Sequence, residues 1–226
     1  MITSAHNPKL RLMRRLLSSR RQREREGLFV CEGEDLLQAA RDAGIEPVEA
    51  LVAGEHVAPE LLAEISTLGH PPRVVSLFRR DDLPHGGRHV VVALWRVADP
   101  GNVGTLLRAA DAFGAGIALS AGCADVTGPR ALRASAGAAF RVPVARFDEA
   151  AGRRIALDAH AGRPLAEIDL TPPLVFVLGA EREGLPELEG AERAMIPLPG
   201  DAESLNVAMA GAIALYELSR RRPEGV

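Results

Sequence analysis

The sequence predicts an α/β protein built around a mostly parallel sheet. Short continuous apolar runs, at residues 90–94 and 174–178, read as strands buried on both faces. Helical patterns such as residues 102–113 alternate with them along the chain, as parallel crossovers require. Hydrophobic residues make up 47% of 226, enough for a core and too many for a disordered chain. That length allows one large domain or two small ones.

Leu10, Met13, Leu16 and Leu17 recur at helical spacing beneath a run of arginines. Residues 28–31 read as a strand, 34–43 as a helix stopped by Gly44, and 48–53 as a second strand. Residues 59–68 read as a helix and 73–76 as a third strand, so residues 1–80 form a small α/β/α unit. Residues 81–89 are charged, hold Pro84, Gly86 and Gly87, lack periodicity, and read as a linker. The pattern restarts over residues 90–226. There 90–94, 117–119, 155–157, 174–178 and 194–198 are predicted strands. Residues 102–113 and 131–139 are predicted helices, and Ser204 is placed as the N-cap of a last helix running to about residue 221. There is no internal repeat.

No apolar run approaches the roughly 20 residues of a membrane span, and the polar, basic start has no apolar signal region. Cys31 and Cys123 stand far apart and read as buried, reduced thiols, which together with those absences predicts a cytoplasmic protein. The histidines show no metal-ligand spacing, and no metal is expected. No GxGxxG, Walker loop, HExxH or GxSxG is present. The net charge of -3 conceals a basic stretch over residues 9–25, with Arg14, Arg15, Arg20 and Arg21 among eight cations against Glu24. Such a local cluster either contacts phosphate or is a solvated helix face.

Three turns carry more polar chemistry than a connection needs. The first is Asp99-Pro100-Gly101-Asn102-Val103-Gly104, followed by Arg108. Asn102 either caps the helix or holds a ligand, and Arg108 either reaches solvent or pairs with an anion. The second is Gly179-Ala180-Glu181-Arg182-Glu183-Gly184-Leu185, at the carboxyl end of a strand where open α/β sheets bind ligands. The third is Ile196-Pro197-Leu198 followed by Glu203-Ser204-Leu205-Asn206-Val207.

Taken together, these three segments resemble the three motifs of the SpoU (TrmH-like) family of RNA ribose 2′-O-methyltransferases, within the SPOUT superfamily. Arg133-Ala134-Ser135-Ala136-Gly137 is similar to the family's R-A-S-x-G stretch, and the match spans roughly residues 90–220. Residues 1–80 resemble the family's N-terminal substrate-binding domain, itself similar to ribosomal RNA-binding proteins. Arg182 stands where the family often has a small residue.

The resemblance implies a Rossmann-like sheet with a deep trefoil knot, a homodimer, and S-adenosylmethionine as cofactor. It places the cofactor at Gly179, Ile196 and Leu205, with Leu198 nearby. It makes Arg108 the group that activates the ribose 2′-oxygen, with Asn102 and Asn206 positioning ribose or cofactor, and Ser204 and Glu181 holding the motif loops in register. Arg14, Arg15, Arg20 and Arg21 become RNA contacts, and the extra N-terminal unit favours large-subunit rRNA over tRNA as substrate. A tRNA ribose 2′-O-methyltransferase and a non-catalytic RNA-binding or ribosome-assembly factor on the same fold are the competing readings.

Overall fold

The computed structural model describes residues 1–180, 184, 185 and 187–221. The first part of the chain runs α1 (Pro8–Ser18), α2 (Arg20–Glu26), β1 (Leu28–Glu32), α3 (Glu34–Asp42), β2 (Glu49–Val52), α4 (Pro59–Ile65) and β3 (Val74–Arg79). Its three strands pair antiparallel in the order β1-β3-β2. Helix α1 starts at Pro8, behind the Asn7 cap, and buries Leu10, Met13, Leu16 and Leu17. Ser19 interrupts the basic stretch by leaving helical geometry (φ -136°) and accepting from the Gln22 N–H, so α2 is a separate helix.

Two expected boundaries shift here. Helix α4 stops at Ile65 rather than residue 68, because Ser66 turns extended and donates its hydroxyl to Glu32 at 2.7 Å. Strand β3 starts later and runs further than expected, to Arg79.

The second part runs β4 (Val90–Trp95), α5 (Pro100–Ala112), β5 (Gly116–Leu119), α6 (Pro129–Ser135), β6 (Val144–Arg146), β7 (Arg153–Leu157), β8 (Arg163–Pro164), β9 (Leu174–Gly179), β10 (Glu192–Met195) and α7 (Val207–Arg220). Its strands form one seven-stranded sheet, β6-β5-β4-β9-β7-β10-β8, with every pairing parallel. The central strands β4 and β9 are the two apolar runs of the sequence, buried on both faces. Their register sets Trp95 beside Gly179, and β7 sets Leu157 beside Leu178. The carboxyl ends of β4, β9 and β7 therefore share one edge.

Three further expectations are corrected in this part. The helix expected over 131–139 ends at Ser135, because Ala136 (φ 48°) and Gly137 (φ 85°) are left-handed. A side chain at Gly137 would come within 2.4 Å of Ala39 Cβ, so this break is where α3 packs. The strand expected over 194–198 is β10, ending at Met195; Pro197 and Pro199 lack the N–H that would extend the ladder. The N-cap of α7 is Asn206 and not Ser204.

One apolar core runs through both sheets. Phe29 and Phe78 stack at 5.6 Å, and Phe140, beyond α6, meets Phe78 at 5.4 Å. Replacing such a buried ring by alanine costs roughly 3–5 kcal/mol. Two buried polar clusters pin the same joint. Asp125 accepts from Arg23 at 2.8 Å, from Arg80 at 3.2 Å and from the Thr127 hydroxyl at 2.7 Å. Glu32 accepts from Ser66 and from the Thr67 N–H, both at 2.7 Å, and pairs with Arg133 at 3.4 Å. Arg133 and Gly137 of the R-A-S-x-G stretch thus face the N-terminal unit. Both cysteines are buried and unpaired, and burial pushes the Cys31 thiol up. Among the described residues, no helix is long and apolar enough to cross a membrane.

Candidate active site and cofactor cavity

The first and third polar turns meet at two asparagines. Asp99 caps α5 by accepting from the Asn102 N–H at 2.9 Å, and Pro100 fills the first helical position. Asn206 caps α7 in the same way, its side-chain oxygen accepting from Ala208 N at 2.9 Å. Its amide nitrogen then donates to Asn102 Oδ1 at 3.0 Å. This side-chain bond ties two helix starts that lie 104 positions apart.

Glycines bring the helices close enough for this. A Cβ at Gly104 would stand 2.4 Å from the Ala131 carbonyl oxygen, so α5 and α6 touch through backbone. A Cβ at Gly211 would stand 2.4 Å from Leu106 Cδ2, so α7 closes on α5. Helix α5 is held from both sides, and Arg108 projects from it exposed, with no hydrogen bond or ion pair to a described residue.

Beside this pair, beyond the carboxyl ends of β7 and β9, lies a cavity of about 390 Å³. Gly179, Ile196, Leu198, Ser204 and Leu205 line it, as do Leu157 and Leu178. All four expected cofactor residues therefore fall on one cavity, with exposed Ser204 at its wall. Asn102, Arg108 and Asn206 do not line it; Val207 and Ala210, which follow Asn206, do. Glu181 lies outside the described residues. Gly179 has a steric reason: a Cβ there would sit 2.4 Å from the Gly184 carbonyl oxygen, where the Ala180–Gly184 bridge closes the loop.

The sequence reading missed Asp158 and His160, which enter the cavity wall just after β7. Asp158 is held by its own N–H to Ala194 O at 2.9 Å and by Arg193 at 2.6 Å. The only signal for them was their place after a strand's carboxyl end. Among the described residues, no group of three or more His, Cys, Asp or Glu is arranged to hold a metal ion.

The basic stretch divides by role. Arg23 is buried and structural, at 6% exposure. Arg14, Arg15, Arg20 and Arg21 are exposed. Arg14 pairs with Glu64 at 3.4 Å, and Arg20 with Glu24 at 2.7 Å. Arg20 also donates to the Cys123 carbonyl at 2.8 Å, so α2 reaches the loop after β5. At the entrance to the first polar turn, exposed Arg96 is left-handed (φ 55°), which costs a non-glycine residue roughly 1–2 kcal/mol. The Ser120 hydroxyl accepts its N–H at 2.9 Å.

The sequence profile of the SpoU rRNA methylase family matches residues 89–216, which take in all three turns and the cavity. The chain belongs to the SpoU rRNA methylase family. It is similar to an uncharacterized tRNA/rRNA methyltransferase of Synechocystis, 33% identical over 98% of this chain and 94% of the relative. It is also similar to the 23S rRNA (guanosine(2553)-2′-O)-methyltransferase RlmP of Bacillus subtilis, 30% identical over 96% of this chain and 98% of the relative. Among solved structures, an AdoMet-bound rRNA methyltransferase from Sinorhizobium meliloti superposes with a TM-score of 0.84 at 32% identity, covering 97% of each chain. Each of these three matches covers more than nine-tenths of both chains.

Proposed function

We propose that this protein transfers the methyl group of S-adenosylmethionine to a ribose 2′-hydroxyl of RNA, with large-subunit rRNA as substrate. The observation that carries the reading is a cavity lined by Gly179, Ile196, Leu198 and Leu205, with the Asn102–Asn206 pair just before its wall residue Val207. The cavity fits the cofactor: its volume falls within the roughly 300–1,000 Å³ of small-molecule sites, and its walls combine leucines with Ser204 and Asp158. When bound, the cofactor supplies a methyl group already activated on sulfonium.

The chain's own residues must then align the reacting atoms and assist loss of the 2′-proton. An arginine side chain carries only hydrogen-bond donors and keeps its proton in proteins, so Arg108 is not the proton acceptor. It donates hydrogen bonds to the 2′-oxygen and to a neighbouring phosphate, orienting both, and that phosphate assists proton loss. Asn102 and Asn206 hold the ribose or the cofactor between the two helix starts. Ser204 and Glu181 keep the motif loops in register. Arg14, Arg15, Arg20 and Arg21 hold RNA through its phosphates.

The same reading divides the chain into a substrate-binding unit (residues 1–80), a connection (81–89) and a knotted methyltransferase unit (90–226), working in the cytoplasm as a homodimer. Support for the dimer comes from α7, where Met209, Ile213 and Tyr216 form an exposed stripe at 59%, 39% and 56% exposure. The alternatives are a tRNA ribose methyltransferase and a non-catalytic RNA-binding factor.

Incubation with labelled S-adenosylmethionine and, separately, rRNA and tRNA lacking 2′-O-methyls tests this. Base-stable label confined to large-subunit rRNA is expected. Label in tRNA alone overturns the substrate assignment, and no label in RNA or intact particles overturns the enzyme reading.

A further inference from the structure

The basic helices and the cofactor cavity belong to different parts of the chain, and one loop connects them. Arg20 of α2 donates to Cys123 O at 2.8 Å. The preceding residue, Gly122, is covered by the side chain of Arg96: a Cβ at Gly122 would lie 3.5 Å from Arg96 Cγ and 3.6 Å from its Nε. The loop is sewn to the first polar turn by Ser120 N to Leu94 O at 3.0 Å and Ala124 N to Val97 O at 2.9 Å. Past the loop, Arg130 opens α6 and approaches Asp99, the cap of α5, at 3.7 Å. Arg20, Arg96 and Arg130 are thus three exposed cations in sequence from the N-terminal unit to the turn that carries Asn102.

We infer that Arg96 and Arg130 extend the RNA-binding surface from Arg20 to the methyl-transfer site, contacting phosphates of the single strand that flanks the target ribose. The inference rests on the function proposed above. The occupant follows from charge and continuity: a polyanion held at α2 and reaching the Asn102 turn passes along this loop. Glu24 beside Arg20 and Asp99 beside Arg130 do not block it. Arg20–Glu24 is 53% and 49% exposed and Arg130–Asp99 is 68% and 49% exposed, and such solvated pairs hold their partners weakly. Arg96 occupies a left-handed backbone position that glycine takes at no steric cost.

That conformation supplies a clean test. Arg96→Gly removes the guanidinium and relaxes the backbone; Arg130→Ala removes the second one from an exposed helical site. Both variants and the unaltered protein are assayed on an unmodified large-subunit rRNA transcript. Expected for each variant is a rise of about fivefold or more in the KM for RNA, with a much smaller change in kcat. The slope of log affinity against log salt falls by roughly 0.7 per lost contact. The cofactor Kd stays at the unaltered value for both variants, as does the Tm for Arg130→Ala. An unchanged KM and salt slope overturns the inference, as does a KM rise accompanied by parallel losses of cofactor affinity and Tm. If the unaltered protein methylates the transcript and the variants equal it, this inference alone fails. If the unaltered protein methylates no RNA, the function it rests on fails as well.

Discussion

Asn206 donates its side-chain amide to the side-chain oxygen of Asn102 at 3.0 Å while its own oxygen caps α7. One residue therefore starts a helix and ties it to another. Asn206→Ala removes both functions and is expected to cost about 1–2 kcal/mol of stability together with most of the methyl transfer. Asn102→Ala leaves the α7 cap in place and costs less. Denaturant melts of both single variants and the double variant measure their coupling, expected at about 0.5–1.5 kcal/mol. A coupling of zero would show that the bond does not join the helices in solution.

Gly179→Ala places a methyl group 2.4 Å from the Gly184 carbonyl oxygen, which is backbone and cannot swing aside. The loop beyond β9 must shift, and it forms part of the cavity wall. Titration calorimetry is expected to show the cofactor Kd raised by more than about tenfold, or about 1.4 kcal/mol. RNA binding, proposed above for the arginines of α1 and α2, is expected to be retained, because no residue of those helices lines the cavity. Cofactor binding at the original affinity would mean that the loop adapts at no cost.

The parts of this fold legible in the sequence were those whose burial imposes a pattern. Strands β4 and β9 are apolar throughout because both faces are covered, and α1 shows its buried stripe plainly. Strands β6 and β8 have three and two residues, including Arg146, Arg163 and Pro164, and carry no pattern to read. The insertion of β9 between β4 and β7 depends on pairings across long stretches of chain, which no local window contains.

The site was legible in a different way. The motif resemblance assigns Gly179, Ile196, Leu198 and Leu205 to the cofactor, and in the structure they line one cavity. Residue chemistry alone left Asn102 open between cap and ligand; in the structure its backbone is capped by Asp99 and its side chain meets Asn206. Asp158 and His160 were not found, since a lone polar residue after a strand resembles any turn. Serine caps helices well, which makes Ser204 the cap the sequence predicts, whereas Asn206, two residues on, performs that role.

Asp125 predicts how the joint between the two sheets responds to acid. Burial pushes its carboxyl up, but the Arg80 charge and the hydrogen bonds from Arg23 and Thr127 outweigh that and hold it below its ordinary value. A carboxylate depressed in the folded state adds stability that is fully present above its unfolded pKa of about 3.9. That stability is lost as pH falls through the lower folded value. Asp125→Asn should therefore cost about 3 kcal/mol at neutral pH by leaving Arg23 buried without its counter-charge. It should also lessen the acid dependence below about pH 4. Chemical denaturation between pH 3 and pH 7 checks both; parallel curves for the two proteins would remove Asp125 from the acid response.

Arg108 offers the sharpest separation of chemistry from structure. It is exposed on a helix clamped by Gly104 and Gly211, so its removal leaves the packing of α5 intact. Arg108→Ala is expected to keep stability within about 0.5 kcal/mol, as ordinary surface changes do. Cofactor affinity should also hold, because Arg108 does not line the cavity. Methyl transfer under single-turnover conditions should fall by about 10²–10³-fold, the loss typical of removing one donor aimed at developing charge. Arg108→Lys keeps the charge but not the planar pair of donors needed to hold a 2′-oxygen and a phosphate together, so it should recover only a small part of the rate. If lysine restores full transfer, a bare positive charge suffices and the orienting role is wrong. If alanine weakens cofactor binding as much as it slows transfer, Arg108 serves the cofactor rather than the ribose.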